Sequence, residues 1–408
     1  MSRPPVAHTS RLRWIRTNLF STWYNSSLTI AFALLLGFVA YRGLQFVFVT
    51  GRWEIIRRNL TLLLIGLFPR DESWRVWAAL FLVTAGVAIA TGALRRRALV
   101  DPDAAQHPGS PVRRLIDALR RIAPVILLVV TLLSLRPDPV AAVLVAAIAG
   151  AALVSWRVGC TVPPRLARMV AAAGVALVLS ALVLLTAFGG VGWDRWGGLL
   201  LTMFLAVAGI LLSFPIGVLL AVGRRSNLPV VRVVSTGYIE LIRGVPLITL
   251  LFMAFFVIGF LVPPGTGRPS GVTRALIAFV MFTSAYVAEI VRGGLQSVPR
   301  EQTEAALAVG LRPIMTLRLI VLPQALRSVI PALVGQFISL FKDTSLVVAI
   351  GLTELLRVAQ VLTSQGDFRG QQLQAETLVF ASFIYWVGSY TMSRESQRLE
   401  GRLGIGTR

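Results

Sequence analysis

Residues 299–323 read PREQTEAALAVGLRPIMTLRLIVLP, a polar stretch that lies between long apolar segments. A helix is predicted to start after Pro299 and to end at Gly310, because proline suits a first helical turn and glycine tolerates positive φ. A second helix is predicted from Pro313 to Ile320, with Leu322-Pro323 ending it and turning the chain back to the membrane. The expected product is a short helix–turn–helix between membrane helices.

The composition is that of an integral membrane protein. Of the 408 residues, 56% are hydrophobic and only 14% are charged, with a mean hydropathy of +0.76. Soluble domains average about 25% charged residues. Lipid replaces water around most of the surface of a membrane protein, so this composition predicts an all-α membrane fold.

The net charge of +22 does not indicate nucleic-acid binding. The arginines lie in short segments beside apolar stretches, where basic residues mark the cytoplasmic side of a membrane. A nucleic-acid-binding domain would instead cluster them on one globular surface. We therefore attribute the positive charge to membrane topology.

Several enzyme sites are excluded by residue type. Lys342 is the only lysine, and the residues before it do not form the glycine-rich loop that cradles ATP phosphates. Cys160 is the only cysteine, which rules out a disulfide or a paired-cysteine zinc site within the chain. The two histidines, His8 and His107, lie in polar segments. We expect no catalytic residue, no metal site and no cofactor bound by this chain.

About ten membrane spans are predicted, since a span needs about 20 apolar residues. The run 28–49 is too long for the core of a signal peptide and is interpreted as a retained first span. Residues 122–156 are interpreted as two short helices joined by a tight turn at Arg136–Pro139, and 324–351 as a helix that breaks at Lys342-Asp343. The ten segments are 28–49, 75–94, 122–135, 138–156, 168–188, 197–222, 239–262, 272–291, 324–351 and 376–392.

The distribution of arginines favours a cytoplasmic N-terminus and, with an even number of spans, a cytoplasmic C-terminus. The segments that would then face inwards are all basic; they are 1–27, 95–121, 157–167, 223–238, 292–323 and the tail after 391. The outward segments 189–196, 263–271 and 365–374 each hold one arginine. One segment disagrees: 50–74 is predicted outside but holds four arginines, and its apolar run 60–68 is too short to span.

Two parts of the chain are distinguished by composition. Residues 1–190 form an N-terminal extension with about five spans and a basic loop at 95–121 that is predicted to be cytoplasmic. Residues 191–408 are richer in polar motifs and contain the 299–323 stretch.

The C-terminal half resembles the permease subunits of binding-protein-dependent ABC importers for polar amino acids. The spacing EAA-x3-G-x9-I-x-LP at 304–323 matches the signature of such membrane subunits. Further matching stretches are AVGRRS at 221–226, YIELIRGVPL at 238–247, SAYVAEIVRGGLQ at 284–296, FKDTSL at 341–346 and GLTELL at 351–356. The long N-terminal extension makes the chain similar to the M-type subunit of the general L-amino acid permease branch.

This resemblance implies a five-helix permease core of the type I importer kind, placed in the bacterial inner membrane. It implies a second permease subunit in a heterodimer, an ABC ATPase dimer that holds the ATP and Mg²⁺, and a periplasmic amino-acid-binding protein. The residues that would couple this chain to the ATPase are Glu304, Ala305, Ala306, Gly310, Ile320, Leu322 and Pro323.

Polar residues near or within spans supply candidates for a substrate pathway, because a charge at membrane depth is costly. The candidates are Ser284, Tyr286, Glu289, Lys342, Asp343, Thr344 and Ser345. Two structural readings stay open beside that role. Glu289 and Arg292 lie three residues apart on one helix face and can simply pair, and Lys342-Asp343 can cap a broken helix. Glu240 and Arg243 are predicted to form a structural pair or a partner contact.

Two other classes remain as alternatives. The first is an ion-driven secondary amino acid carrier, which often shows inverted repeats that we do not find here. The second is a membrane enzyme, which would need a cluster of histidines, cysteines or paired carboxylates. The carrier alternative also leaves the 304–323 pattern unexplained.

Overall fold

The structure is a computed structural model that describes residues 11–99, 111–135, 137–186, 191–263 and 267–403. Every regular element within these ranges is helical, and the β-type contact found there is an isolated bridge between Gly198 and Glu354. The predicted all-α class is therefore confirmed.

The helices fall into two compact units, Met1–Glu54 and Ile55–Arg408. The first unit contains α1 (Arg11–Asn18) and α2 (Trp23–Gln45), which runs into a π-helical turn at Phe46–Thr50. The second unit begins within α3 (Glu54–Ile65). It continues with α4 (Ser73–Leu99), α5 (Pro111–Leu135), α6 (Pro139–Thr161), α7 (Ala167–Thr186), α8 (Gly198–Arg224), α9 (Pro229–Arg243), α10 (Leu247–Leu261), α11 (Gly271–Ser297), α12 (Arg300–Ala308), α13 (Pro313–Thr316), α14 (Leu322–Asp343), α15 (Leu355–Leu362) and α16 (Gln374–Leu403).

Seven helical segments in the described ranges are long and apolar enough to cross a membrane, or up to eight if the bent pair α9–α10 is one span. The predicted count of ten is not confirmed. The apolar part of α5, Ala123–Leu135, is shorter than the seven. The helix α16 continues to Leu403, well past the predicted end of its span at 392.

Two predicted boundaries are wrong. The basic loop 95–121 is largely helical, because α4 extends to Leu99 and α5 begins at Pro111; the residues between them lie outside the described ranges, as do His8, His107 and Arg136. The predicted span 239–262 is broken, because α9 and α10 meet at an angle of 107°. Pro246 explains this bend, since proline lacks an N–H and disfavours the helical conformation for the residue before it.

The extension helices cross at glycines. A Cβ atom on Gly86 of α4 would lie 2.5 Å from the carbonyl oxygen of Gly174 on α7, and a Cβ on Gly92 would collide with Trp156 of α6. Backbones approach this closely only where side chains are absent, a common way to pack helices in lipid. The predicted turn at 136–139 includes Arg136, which lies outside the described residues; in its described part, the Asp138 carboxylate caps α6 by accepting from the Val140 N–H at 2.9 Å.

Helix α8 has 27 residues and is therefore about 40 Å long, at 1.5 Å per residue. Its start and its end define two ends of the second unit. At its start, the Gly198 N–H donates to the Thr353 carbonyl oxygen at 2.8 Å. At its end, Arg224 pairs with Glu289 of α11, and Arg225 donates to the Leu295 carbonyl oxygen at 2.9 Å. We call these the Gly198 end and the Arg224 end.

Helix α3 packs on the Gly198 end. Its apolar residues Ile55, Ile56 and Leu63 are fully buried, and a Cβ on Gly66 would collide with Gly197. The short run 60–68 is thus confirmed as non-spanning. Its hydrophobic face is covered by protein, since Phe68 joins a core cluster with Trp196 and Leu201.

The glycine crossing predicts a position-specific loss of stability. Gly86→Leu should separate α4 from α7 and lower the free energy of unfolding by about 1–3 kcal/mol, as overpacking does. The measurement is the melting temperature of the purified protein in detergent. The matched control is Gly150→Leu on α6, where an added Cβ meets no atom within 4 Å. Equal melting temperatures for the two variants would contradict the tight crossing.

Candidate functional site

The predicted helix at 299–310 is present as α12, which begins directly after Pro299 and ends at Ala308. Gly310 adopts a φ of +86°. Its N–H donates to Leu307 O at 2.9 Å, and the Leu311 N–H donates to Ala306 O at 3.1 Å. These two bonds form a Schellman motif, the helix ending that favours glycine at this position. These two hydrogen bonds explain why the helix ends at Gly310, as predicted.

The second predicted helix starts correctly at Pro313, but Leu322-Pro323 does not end it. After α13 comes a π-helical turn at Leu317–Val321, and α14 follows without a break. The Leu322 N–H donates to Leu317 O, five residues back. Proline cannot donate to the residue four positions before it, and a wider turn absorbs this defect without a kink. The predicted turn back to the membrane at Leu322-Pro323 is wrong for this reason.

Of the predicted coupling residues, Glu304, Ala305, Gly310 and Pro323 are exposed, Ile320 and Leu322 are half-buried, and Ala306 is buried. Ala306 thus lies on the face of α12 that packs back on the protein. The Gln324 side-chain amide donates to the Gln302 amide oxygen at 3.4 Å, which ties the start of α14 to α12. The outer face of α12 stays open.

An apolar surface surrounds this open face. We call it the α12–α13 surface; it consists of the exposed side chains Leu307, Val309, Ile314, Met315 and Leu319. Val309 is 78% exposed and Ile314 is 80% exposed. Several large apolar side chains exposed beside polar residues are typical of a binding site for another protein.

An ionic cluster at the Arg224 end joins three helices. The carboxylate of Glu289 on α11 pairs with Arg292 one turn later, with Arg224 of α8 at 3.3 Å and with Arg243 of α9 at 3.6 Å. Arg224 also pairs with Glu240 at 2.8 Å. The predicted pair Glu289–Arg292 is present, whereas Glu240 pairs with Arg224 and not with Arg243. With three arginines against two glutamates, the cluster has an excess of one positive charge.

The polar candidates next to this cluster are occupied by protein contacts. Ser284 is buried, with its hydroxyl group 3.0 Å from the Tyr238 hydroxyl and 2.9 Å from the Met281 carbonyl oxygen. The Tyr286 ring lies under the Arg243 guanidinium, 5.5 Å from the ring centroid. Ser284 and Glu289 of α11 therefore bind side chains of other helices, and the Tyr286 ring lies against Arg243 of α9.

The candidates at 342–345 lie apart from that group, where α14 ends. Lys342 is exposed in the last turn of α14, where a cation suits the negative end of the helix dipole. The chain tightens after Asp343 into a 3-10 helix at Thr344–Ile350, so the predicted break is present. Thr344 is buried and donates to Phe341 O at 2.7 Å, and the Ser345 hydroxyl donates to Lys342 O at 2.8 Å.

Comparisons with known proteins bear on this arrangement. Residues 213–403 match the family described as the binding-protein-dependent transport system inner membrane component. The chain is 34% identical to the inner membrane amino-acid ABC transporter permease protein YhdY of Escherichia coli (strain K12), over 99% of this chain and 96% of the relative.

It is also 34% identical to the glutamate/glutamine/aspartate/asparagine transport system permease protein BztC of Rhodobacter capsulatus, over 98% of this chain and 95% of the relative. The chain belongs to the amino-acid ABC transporter permease family. A solved amino acid ABC transporter with histidines aligns with 49% of this chain and 90% of its own, at 30% identity and a TM-score of 0.44.

A second polar cluster in the permease was missed as a candidate site. Glu354 is fully buried and caps α15, accepting from the Leu356 N–H at 2.7 Å and the Arg357 N–H at 2.8 Å. Its carboxylate also accepts from the Tyr385 hydroxyl at 2.9 Å. Burial raises the pKa of Glu354, while the hydrogen bonds it accepts act in the opposite direction.

This cluster links α8, α15 and α16 at the Gly198 end. The Leu355 N–H donates to the Thr202 hydroxyl at 3.2 Å, and the Tyr385 hydroxyl lies 3.4 Å from that of Thr344. The signal for Glu354 was present in the sequence, because an acidic residue before an apolar helix is a typical N-cap. Its partners Thr202 and Tyr385 carried no such signal.

The ionic cluster predicts unequal effects for its two glutamates. Glu289→Gln removes the carboxylate that three arginines share, so the free energy of unfolding of the permease should fall by roughly 1–3 kcal/mol. Glu240→Gln removes a 57% exposed partner of a single arginine, and the loss should stay below about 1 kcal/mol. Thermal melting of both purified variants checks this. An equal or larger loss for Glu240→Gln would show that Glu289 is not the centre of the cluster.

Proposed function

We propose that this chain is the membrane subunit of an ATP-driven importer of polar L-amino acids. It works with a second, different permease subunit, with a separate ABC ATPase dimer that binds ATP and Mg²⁺, and with a periplasmic amino-acid-binding protein. The chain itself hydrolyses nothing. Its homology along nearly the whole length of two amino-acid permeases supports this proposal.

The observation that carries the proposal is the open α12–α13 surface at the Arg224 end. Membrane lipid does not explain it, because Glu304 and Arg300 are exposed beside the apolar side chains and would be costly in hydrocarbon. A partner in the aqueous phase explains both features. Glu304, Ala305 and Gly310 would then contact the ATPase, while Ala306, Ile320, Leu322 and Pro323 would connect α12 to the spans.

The contacts of α12 connect this helix mechanically to α11 and α14. Helix α12 follows α11 through Pro299, and the Gln302–Gln324 bond joins it to α14. Beside it, α11 and α14 are packed so tightly that a Cβ on Gly294 would lie 2.6 Å from Ala325 O. A displacement of α12 by a closing ATPase dimer would therefore move α11 and α14 together.

For the substrate pathway we propose Lys342 as the strongest of the candidates. An exposed lysine in the last turn of a long apolar helix is costly where that turn contacts lipid, which favours a water-lined path or a subunit boundary for this end of α14. Asp343, Thr344 and Ser345 adjoin it. Ser284 and Glu289 already bind neighbouring side chains and the Tyr286 ring lies under Arg243, so we assign these three residues the joining of α8, α9 and α11.

The proposed location is the bacterial inner membrane with both termini cytoplasmic. This orientation puts the Arg224 end and the α12–α13 surface inside the cell, where ATP is available. It puts the Gly198 end at the periplasm.

The proposal is tested by reconstituting the permease with its ATPase, second permease and binding protein in proteoliposomes. We expect labelled amino acid uptake that requires ATP and the loaded binding protein. Uptake driven by a proton or sodium gradient without ATP would favour the alternative of a secondary carrier.

The Schellman motif at Gly310 predicts a coupling defect. Gly310→Val should insert normally but lose most ATP-dependent uptake, because a β-branched residue is strained at a φ of +86° and α12 would end differently. Gly310→Asn is the matched control, since asparagine tolerates this conformation. ATPase stimulation and uptake are measured side by side. Normal coupling in Gly310→Val would contradict a role for this helix ending.

A further inference from the structure

The buried carboxylate of Glu354 does more than cap α15. Its oxygen atoms accept from the Leu356 and Arg357 N–H groups at 2.7 and 2.8 Å, which caps the start of that helix. It accepts a further bond from the Tyr385 hydroxyl at 2.9 Å, which the cap itself does not require. A carboxylate at 0% exposure is costly unless it is hydrogen-bonded, so this third bond helps to keep it inside the protein. Tyr385 therefore ties α16 to the start of α15.

Tyr385 also contacts the end of α14. Its ring centroid lies 5.3 Å from that of Phe341, and its hydroxyl oxygen lies 3.4 Å from that of Thr344. One turn further along α16, a Cβ on Gly388 would lie 2.6 Å from the Phe341 ring, so that ring is seated against the helix backbone. Phe341 and Thr344 are both buried. Tyr385 thus contacts the two residues that flank Lys342-Asp343.

The positions of Lys342 and Asp343 depend on these two neighbours. The Thr344 hydroxyl donates to Phe341 O at 2.7 Å, and the Ser345 hydroxyl donates to Lys342 O at 2.8 Å. These bonds lie where α14 gives way to the 3-10 helix. Lys342 itself is exposed. A shift of Phe341 or Thr344 would therefore carry the exposed lysine with it.

The same cluster reaches helix α8. The Leu355 N–H donates to the Thr202 hydroxyl at 3.2 Å. Thr353, the residue before Glu354, accepts from the Gly198 N–H at 2.8 Å. The bond between Glu354 and Tyr385 consequently links the start of α8 to the end of α14.

We propose that Glu354 and Tyr385 are positioning residues of the substrate pathway. Their hydrogen bond fixes the end of α14, with Lys342 and Asp343, relative to α8. This inference rests on the proposed function, in which that end of α14 faces the pathway. Neither residue contacts the substrate in this role. Without the bond the pathway residues are held less firmly, and ATP is hydrolysed without transport more often.

The first test is Tyr385→Phe in the complete reconstituted importer. This change removes one hydroxyl group and keeps the ring against Phe341. The matched control is Tyr390→Phe on the same helix, where the hydroxyl accepts from the Arg394 side chain at 2.9 Å. The readout is the number of amino acid molecules transported per ATP hydrolysed, in the presence of loaded binding protein. A merely structural bond would change the amount of folded importer, which lowers uptake and ATP hydrolysis in equal proportion.

We expect Tyr385→Phe to lower the number transported per ATP by about three- to tenfold, the factor that corresponds to one net hydrogen bond. Tyr390→Phe should leave it unchanged. Glu354→Gln should also lower the number. The double variant should be no worse than Glu354→Gln alone, because the effects of two changes that act through one bond are not additive.

Three results would overturn the inference while leaving the proposed function intact. They are an unchanged number for Tyr385→Phe, an equal fall for Tyr390→Phe, and additive effects in the double variant. If Glu354→Gln does not fold, Tyr385→Phe and its control decide the question alone. A wild-type importer without ATP-dependent uptake would instead contradict the proposed function itself.

Discussion

Polar interactions fix helix α8 at both of its ends. At its start, the Gly198 N–H bonds to Thr353 O and Thr202 bonds to the backbone of Leu355, beside the buried carboxylate of Glu354. At its end, Arg224 bonds to Glu289 and Glu240. A helix of this length crosses the hydrocarbon core of a membrane. The polar interactions at its two ends lie where the chain leaves that core. Helix α3 packs at the start of α8, and α11, which packs along α8, leads into α12 at the other end.

The two ends differ in what they expose, and the difference has a chemical meaning. The Arg224 end presents the apolar α12–α13 surface on short helices closed by a Schellman motif, which suits rigid contact with another protein. The Gly198 end presents arginines on a helix whose apolar face is already buried. The Arg224 end thus leaves apolar side chains uncovered, whereas at the Gly198 end the apolar side chains of α3 are covered by the protein itself.

Local chemistry made part of this arrangement predictable. Pro299, Gly310 and Pro313 placed the boundaries of α12 and α13, and Asp138-Pro139 placed the turn before α6, because each acts through its own backbone. The π-helical turn before Pro323 was not predictable, since it depends on α14 continuing into a packed span. The Glu354 cluster was missed because Thr202, Glu354 and Tyr385 are far apart in the chain and meet only in the fold. The sequence contains Pro246, but it does not give the 107° angle between α9 and α10.

The most direct measurement is the accessibility of the two ends from each side of the membrane. The chain has one cysteine, Cys160, so Cys160→Ser gives a background without thiols. In that background, Glu304→Cys reports on the Arg224 end. Asp367→Cys reports on the Gly198 end, because the ring of the next residue, Phe368, lies 6.0 Å from the guanidinium of Arg58 on α3. With a membrane-impermeant maleimide, we predict that intact spheroplasts label position 367 but not 304, and that inverted vesicles label 304 but not 367. Labelling of both positions from the same side would contradict the two-ended arrangement on which the account depends.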